Sequence, residues 1–291
     1  MSQNVYLNGQ YTPAEQACVP ILDRGFMFGD GVYEVMPVYS GKPFALVQHL
    51  ARLQRSLDAI QINNPLSESK WAEIFDSLIA ENCPGQDAAI YLQVTRGVMD
   101  KRDHVFSHDM TPTVLVMCHP MEYPAQSKQT QGIRVITQDD TRWQDCYIKS
   151  VNLLPNVLLK QYAVEHDAAE TILIRDGLAI EGSASNLFIV KDDIIRTPPA
   201  NRHMLGGITR EVILDLCLQH KVVAREIEIS EDELHDADEI WMTSSTREIS
   251  PVTTLNQHKV GNGEVGPKWH QVIELYQQFK QQVMRGGNDA M

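Results

Sequence analysis

One lysine in this sequence lies between apolar neighbours at the junction of two predicted elements. Lys149 follows a short strand-like run and precedes a helix-like run that begins near Pro155. Because desolvation disfavours the charged ammonium, an amine in such surroundings can lose its proton and attack a carbonyl carbon. Alternatively, the side chain extends along apolar surface and keeps its ammonium group in water. Lys149 is therefore a candidate nucleophile of the kind that forms Schiff bases.

The composition is that of an ordinary globular protein with an acidic balance of charge. The 291 residues are 43% hydrophobic and 22% charged, and the formal net charge is −13. Because nucleic-acid binding depends on clustered basic residues, we expect no nucleic-acid partner. No apolar run approaches the length of a membrane span, so we expect no membrane partner either. Residues Met1–Leu7 lack the basic start and apolar stretch of a signal peptide.

The five cysteines are scattered along the chain. None forms a Cys-x-x-Cys pair or stands at zinc-ligand spacing with a histidine, so no metal site is expected. An odd, scattered set is typical of reduced thiols, and we therefore expect a cytoplasmic protein. The cysteines are Cys18, Cys83, Cys118, Cys146 and Cys217.

The order of predicted elements divides the chain into two domains. Residues 1–120 are predicted to form a small α+β domain, residues 121–132 a polar, proline-bearing linker, and residues 133–291 a larger sheet-rich domain. Helices are predicted at Val47–Ile60, Ser67–Glu81, Pro155–His166, Thr209–His220 and Lys268–Met284, and a short helical turn at Ser230–His235. Most other apolar runs are predicted strands, so both domains combine helices with sheet.

Several shorter segments carry predictions of their own. Asn8-Gly9 predicts a hairpin turn. Asp23–Asp30 is glycine-bearing and predicts a loop. The polar segment Val98–Thr111 predicts a second loop, which cannot belong to the hydrophobic core. Val222–Ile229 is predicted to be a strand.

Five short motifs accompany Lys149 along the chain. They are FGDGVYE at 28–34, HLARL at 49–53, EGSASNL at 181–187, GGITR at 206–210 and TSST at 243–246. In this order, from about residue 3 to about residue 280, the set resembles the class IV aminotransferases, the fold-type IV pyridoxal-phosphate enzymes. The resemblance implies an α/β fold of the α+β type, with a small N-terminal α+β domain and a larger C-terminal barrel-like domain.

The resemblance also implies the cofactor and the residues at its reactive ring. Pyridoxal 5′-phosphate is the expected cofactor, bound as a Schiff base on Lys149. Glu181 is expected to keep the pyridine nitrogen protonated, so that the ring draws electrons from the substrate α-carbon. Leu205 is expected to pack against one ring face. Taken singly, Glu181 is equally a solvated strand-end carboxylate and Leu205 a core residue.

Three kinds of group are expected to bind the cofactor's phosphate. A helix N-terminus offers free backbone N–H groups, hydroxyl side chains add hydrogen bonds, and a planar guanidinium adds a fixed positive charge. Taken singly, the glycines form a turn and the arginine lies on a helix surface. The residues are Arg52, Gly207, Ile208, Thr209, Ser244 and Ser245.

The substrate carboxylate is expected to bind at a second basic group. Arg102 and His104 resemble the pattern of the D-amino-acid aminotransferase branch of the family. There, the arginine and histidine come from the neighbouring subunit and act with a tyrosine that matches Tyr33. An arginine binds a carboxylate with two hydrogen bonds, and the imidazole and phenol can add others. Alternatively, Arg102 and His104 belong to a solvated charged loop.

The expected activity is transamination of D-amino acids by a homodimer, from D-alanine and 2-oxoglutarate to pyruvate and D-glutamate. Within the same fold, the alternatives are a branched-chain L-amino-acid aminotransferase and an aminodeoxychorismate lyase. A regulatory protein that binds pyridoxal phosphate without catalysis is the alternative outside enzymes. Two residues near the expected pocket leave open which substrate side chains the enzyme accepts. They are Arg247, directly after the TSST motif, and Pro37, within a predicted strand.

Overall fold

The computed structural model describes residues 3–122 and 130–285, with side chains described as far as residue 283. The described residues form two compact units. Unit 1 contains 3–122 together with Ile148–Asn152, and unit 2 contains 130–147 and 153–285. The sequence predicts 133–291 as one continuous domain, but Ile148–Asn152 belongs to unit 1 because its backbone pairs with a strand of that unit. Most of the predicted linker at 121–132 lies outside the described residues.

Unit 1 is built on a six-stranded sheet in the order β2-β1-β6-β5-β3-β4. Neighbouring strands are antiparallel, and β3 pairs with β5 from Gly31 to Val38. Asn8 and Gly9 have φ values of 49° and 94°, which confirms the predicted hairpin turn between β1 and β2. The strands are β1 Asn4–Leu7, β2 Gln10–Pro13, β3 Gly31–Tyr39, β4 Lys42–Pro43, β5 Ala88–Thr95 and β6 Thr113–Pro120.

Two long helices of unit 1 bury their apolar faces in the core of that unit. Helix α2 (Leu46–Ala59) buries Leu50, Leu53 and Leu57, as the helical spacing predicts. Helix α3 (Glu68–Asn82) begins after Ser67, whose Oγ accepts a hydrogen bond from Lys70 N, so the predicted cap is confirmed.

The predicted loop at Asp23–Asp30 is wrong, because a short helix, α1 (Arg24–Phe28), forms there. The Asp23 carboxylate caps it by accepting a hydrogen bond from Gly25 N at 2.8 Å. Gly25 is required at this point, since a Cβ would lie 2.3 Å from Thr95 Cγ2. Gly29, with φ of 68°, ends the helix in the left-handed conformation.

Unit 2 contains a nine-stranded mixed sheet. Its order is β12-β11-β10-β13-β14-β7-β8-β9, and β15 pairs with β14. The pairs β7–β8, β7–β14 and β11–β12 are parallel. The strands are β7 Ile133–Asp139, β8 Glu170–Arg175, β9 Leu178–Gly182, β10 Asn186–Lys191, β11 Ile194–Thr197, β12 Ala224–Glu226, β13 Glu239–Ser244, β14 Glu248–Leu255 and β15 His258–Lys259.

The helices of unit 2 agree with the predicted positions to within one residue at their starts. They are α4 Leu154–Glu165, α5 Ile208–Gln219, α6 Glu231–His235 and α7 Pro267–Arg285. Pro155 lies in the first turn of α4, where a missing N–H costs little. The predicted strand Val222–Ile229 is confirmed in part, since Ala224–Glu226 forms β12 and pairs with β11. Among residues 3–122 and 130–285, no helix has the length and apolar character needed to cross a membrane.

Candidate active site

The backbone around Lys149 is fixed by hydrogen bonds to β3 and α2. Lys149 O accepts a hydrogen bond from Tyr33 N at 2.9 Å, and Val151 N donates to Gly31 O at 3.0 Å. Lys149 N donates to Ser56 Oγ at 3.2 Å. The candidate nucleophile therefore lies on a segment whose position is set by the strand that carries Tyr33.

The Lys149 side chain lies against an aromatic ring. Its Nζ atom is 4.1 Å from the centroid of the Tyr33 ring, a distance at which the ring face attracts a cation. The Tyr33 ring stacks on Tyr91 at 5.8 Å between centroids. Burial raises the pKa of the Tyr91 phenol to about 12, so Tyr91 stays neutral at ordinary pH. Unit 1 thus brings together Lys149 and Tyr33, which are both predicted site residues.

Arg52, the predicted phosphate ligand, belongs to a buried cluster with Glu34 and His49. Its Nε and Nη2 atoms each donate to the Glu34 carboxylate at 2.7 Å. His49 Nδ1 lies 2.8 Å from Glu34 Oε2, and each of the three residues is at most 5% exposed. Burial raises the pKa of Glu34, but Arg52 outweighs it and holds that pKa well below its usual range. Arg52 therefore has a fixed orientation rather than the free helix surface position that its sequence context also allowed.

His49 is neutral in this cluster, because complete burial lowers the pKa of its ring. Its Nδ1 then donates to Glu34, and Nε2 is buried with no hydrogen-bond partner among the described residues. Sequence reasoning gave Glu34 and His49 no role. The signal was present, because residues at i and i+3 of a helix share a face, and His49 and Arg52 have this spacing.

In unit 2, Glu181 is a buried carboxylate surrounded by hydrogen-bond donors. It lies on β9, is 4% exposed, and so is not the solvated carboxylate that its sequence context alone suggested. Arg142 Nη1 donates to Oε1 at 2.6 Å, Asn186 Nδ2 to Oε2 at 3.1 Å, and Leu205 N to Oε2 at 3.2 Å. Burial raises the pKa of Glu181 to about 7, although Arg142 opposes the shift. This carboxyl can therefore hold or release a proton near neutral pH.

Arg142 is a site residue that sequence reasoning missed. Its guanidinium is held by Asp140 through Nε at 2.9 Å and Nη2 at 3.0 Å, and Asp140 also accepts from Arg175 Nη2 at 2.9 Å. Burial lowers the pKa of Arg142, but Asp140 and Glu181 raise it above its usual value. The available signal was the Asp-x-Arg spacing of Asp140 and Arg142 directly after β7. Arg142 is therefore a fixed positive charge beside Glu181.

The predicted phosphate helix starts where the sequence places it. Gly207 is the N-cap of α5, and no side chain among those described caps this helix. A Cβ at Gly207 would lie 1.9 Å from Asn186 Oδ1, so only glycine fits beside that amide. Ile208 and Thr209 form the buried first turn. The N-terminus of α5 is thus open to an anion, which its dipole and backbone N–H groups favour.

Two of the motifs are adjacent in the sheet of unit 2. Asn186 of β10 pairs directly with Thr243 of β13, and the turn after β13 carries Ser244 and Ser245. Thr243 Oγ1 is buried without a hydrogen-bond partner in the described part of the chain. The exposed Arg247 donates from Nη1 to Ala169 O at 3.2 Å. This donor set fits pyridoxal phosphate, since it combines a buried carboxylate, an uncapped helix start and several hydroxyls.

Pro37 does not interrupt β3. Its carbonyl accepts a hydrogen bond from Phe44 N at 2.8 Å, and the residue lies opposite Ala89 of β5. On the other side of β3, β4 pairs only with Val38 and Tyr39. The proline is tolerated because it lies beyond the end of the short edge strand β4, where its missing N–H removes no bond of the β4 register.

Arg102 and His104 lie in the loop between β5 and β6, and both side chains are exposed. The Arg102 guanidinium carbon is 5.0 Å from the centroid of the Phe28 ring, and the His104 ring is 5.2 Å from it. The two predicted carboxylate ligands therefore share one aromatic contact. The loop is irregular, as the sequence predicts for Val98–Thr111.

The class of this protein follows from comparison with known families. The amino-transferase class IV family matches residues 31–255, more than half of the chain. The chain belongs to the class IV aminotransferases, which confirms the resemblance seen in its motifs. Pyridoxal phosphate is the cofactor of this family.

The relatives and solved structures agree with this assignment. The chain is 41% identical to a D-alanine aminotransferase of Bacillus licheniformis, with 90% of this chain and 92% of the relative covered. It is 38% identical to a D-alanine aminotransferase of Listeria monocytogenes, with 97% and 96% covered. The Escherichia coli branched-chain amino acid aminotransferase has the same fold, with a TM-score of 0.86, 24% identity, and 97% and 94% covered.

Proposed function

We propose that this protein is a pyridoxal-phosphate-dependent aminotransferase of D-amino acids, with D-alanine and 2-oxoglutarate as substrates. The observation that carries the proposal is that Arg102 and His104 both contact the Phe28 ring. The chain that carries this pair is similar to D-alanine aminotransferases over nearly its whole length. The products are pyruvate and D-glutamate. The roles of the individual residues follow from their chemistry.

Lys149 would hold the cofactor through its amine, and the freed amine would take the proton from the substrate α-carbon. When bound, the cofactor supplies an electron sink for the bond that breaks at the α-carbon. Glu181 would hold a proton at the pyridine nitrogen, and Arg142 favours the ionised form of Glu181 that this role needs. Leu205 would lie against one face of the cofactor ring. A protein that only bound the cofactor would have no use for the Lys149 and Glu181 pair.

The phosphate would be held by backbone N–H groups at the start of α5, by hydroxyl side chains of unit 2 and by a guanidinium. The residues proposed for this role are Arg52, Gly207, Ile208, Thr209, Ser244 and Ser245. Support comes from the uncapped N-terminus at Gly207 and from the Glu34 carboxylate, which fixes the plane of Arg52. A fixed guanidinium loses less entropy on binding an anion than a free one.

The handedness of the substrate depends on where its carboxylate is held. The bond to the α-hydrogen must point toward Lys149, so the carboxylate position decides which enantiomer presents that hydrogen. Arg102, His104 and Tyr33 are proposed to hold the carboxylate on the side that selects D-amino acids. A branched-chain L-amino-acid aminotransferase and an aminodeoxychorismate lyase are the alternatives, but neither provides a role for the Arg102 and His104 pair.

The enzyme is proposed to act as a homodimer in which Arg102 and His104 serve the neighbouring subunit. Helix α4 supports the dimer, because Leu154, Val157 and Leu158 are 67%, 58% and 60% exposed. These apolar side chains at helical spacing form one patch, and a partner surface would remove it from water. The unpaired state of the five cysteines supports a reducing, cytoplasmic location.

The test is a comparison of amino donors with 2-oxoglutarate as acceptor. We expect kcat/KM for D-alanine to exceed that for L-alanine and L-leucine. Arg102→Leu should reduce the preference for D-alanine over L-alanine by roughly 10- to 150-fold, which corresponds to the roughly 1.5–3 kcal/mol of a charged hydrogen bond. The matched control is Lys101→Leu, which removes a neighbouring exposed charge. A wild-type preference for L-leucine would contradict the proposal and favour the branched-chain alternative.

A further inference from the structure

Arg24 is a buried arginine that connects α1 to the loop of the proposed carboxylate ligands. It is 4% exposed, and its Nη1 and Nη2 atoms donate to Asp103 O at 2.7 Å and His104 O at 3.0 Å. Its Nε donates to Asp30 Oδ2 at 2.8 Å. One planar group thus ties a partly buried carboxylate to two consecutive carbonyls, and these directly follow Arg102.

Asp30, the anchor of Arg24, is itself fixed by a second buried arginine. Arg96 donates to Asp30 from Nε at 2.8 Å and from Nη2 at 2.9 Å. Arg96 also donates to Ile60 O at 2.6 Å and Gln61 O at 3.1 Å, at the end of α2. Burial raises the pKa of Asp30, but Arg96 and Arg24 hold it below its usual value, so Asp30 remains ionised. The anchor is therefore rigid and charged.

Aromatic side chains complete the contacts of this loop. The Arg96 guanidinium carbon lies 3.6 Å from the centroid of the Phe106 ring, and the Arg24 carbon lies 5.8 Å from it. On the other side, Arg24 lies 4.9 Å from the Phe28 ring that Arg102 and His104 also contact. The loop has no helix or strand of its own at 102–106, so these contacts determine its conformation.

We infer that Arg24 is a positioning residue for the substrate carboxylate, acting through the backbone at Asp103 and His104. The inference rests on the proposed function, which gives Arg102 and His104 that carboxylate. A loop held in one conformation presents both side chains without first losing its own conformational freedom. A displacement of about 1 Å in such a group costs up to about 10²-fold in activity. Arg24 thereby determines specificity although it touches no substrate.

Arg24→Lys tests the inference most directly. A lysine keeps a cation near Asp30 but has no planar fork for the two carbonyls. We expect KM for D-alanine to rise about tenfold or more, while kcat and the cofactor absorbance change little. Phe106→Leu loosens the same loop without removing a buried charge, so it should raise the same KM even if Arg24→Lys fails to fold. Lys101→Leu, in the same loop, is the matched control and should leave KM unchanged.

A double-mutant cycle separates positioning from a general loss of stability. If Arg24 acts through Arg102 and His104, the rise in KM caused by Arg24→Lys should be smaller in the Arg102→Leu background than in the wild type. The inference would be overturned if the increases in KM caused by the two substitutions multiplied. It would also be overturned if neither Arg24→Lys nor Phe106→Leu changed KM. In both cases the carboxylate role of Arg102 would stand. If Arg102→Leu alone leaves KM for D-alanine unchanged, the proposed carboxylate role fails, and the inference about Arg24 fails with it.

Discussion

Arg142 Nη1 lies 2.6 Å from Glu181 Oε1, and the two side chains are only 6% and 5% exposed. The pair is asymmetric, because Arg142 is also held by Asp140, whereas Glu181 depends on Arg142 for its one cationic contact within the described part of unit 2. Burial raises the pKa of Glu181 to about 7. The ionisation of Glu181 is therefore sensitive to the presence of Arg142.

Arg142→Met should move the acid limb of the pH profile of kcat/KM toward higher pH. The ionised form of Glu181 is present above its pKa and is lost as pH falls through that value. Removing the positive charge raises the pKa further, so activity should fall off at a higher pH than in the wild type. Profiles measured between about pH 6 and about pH 9 would show the shift. Glu181→Gln, which has no group to titrate there, should be slower by about 10²-fold and lack this limb.

Lys149→Ala should abolish turnover, because no amine remains at this position to bind the cofactor and move the α-proton. Lys160 is a useful comparison, since burial lowers its pKa and its side chain is 31% exposed. Borohydride reduction followed by peptide mass spectrometry should locate the cofactor on Lys149 in the wild type and in Lys160→Ala. An adduct on Lys160, or on any other lysine, would show that Lys149 is misassigned.

Glu34→Gln should destabilise the protein by about 3–5 kcal/mol, because it leaves the buried Arg52 without its carboxylate partner. The pKa of Glu34 is held far below its ordinary value, so its contribution to stability is present above the unfolded-state pKa and is lost as pH falls. The difference between wild type and variant in urea melts should therefore shrink toward acid pH. Glu73→Gln, which breaks an exposed pair with Lys70, is the control and should change the melts little. An equal loss for both variants would contradict the prediction.

Mixing two inactive variants should restore activity if the protein is a homodimer with shared active sites. Lys149→Ala removes the nucleophile, and Arg102→Ala removes the carboxylate ligand that the neighbouring subunit is proposed to supply. Each mixed dimer then has one site with both defects and one site with neither. The assay is turnover of D-alanine after joint refolding, compared with each variant refolded alone. Activity no higher than in the separate variants, or an active monomer in sedimentation, would exclude sharing.

Sequence and structure agree where the signal is local. The helical spacing of Leu50, Leu53 and Leu57, the cap at Ser67 and the Asn8-Gly9 turn each depend on residues within one element. The short helix at Arg24–Phe28 was not predictable in this way. Its caps, Asp23 and Gly29, are local, but the close approach to Thr95 of β5 that requires Gly25, some seventy residues along the chain, is visible only in the structure.

The sequence by itself determined the family, the candidate lysine and the order of the motifs, because these are properties of residue type and spacing along the chain. Only the tertiary structure decided which groups surround each candidate. It placed Arg52 against Glu34, Arg142 against Glu181, and Arg24 beneath the loop that carries His104. Ion pairing and desolvation depend on distance in space and on exclusion of water, and both are set only when remote segments pack together.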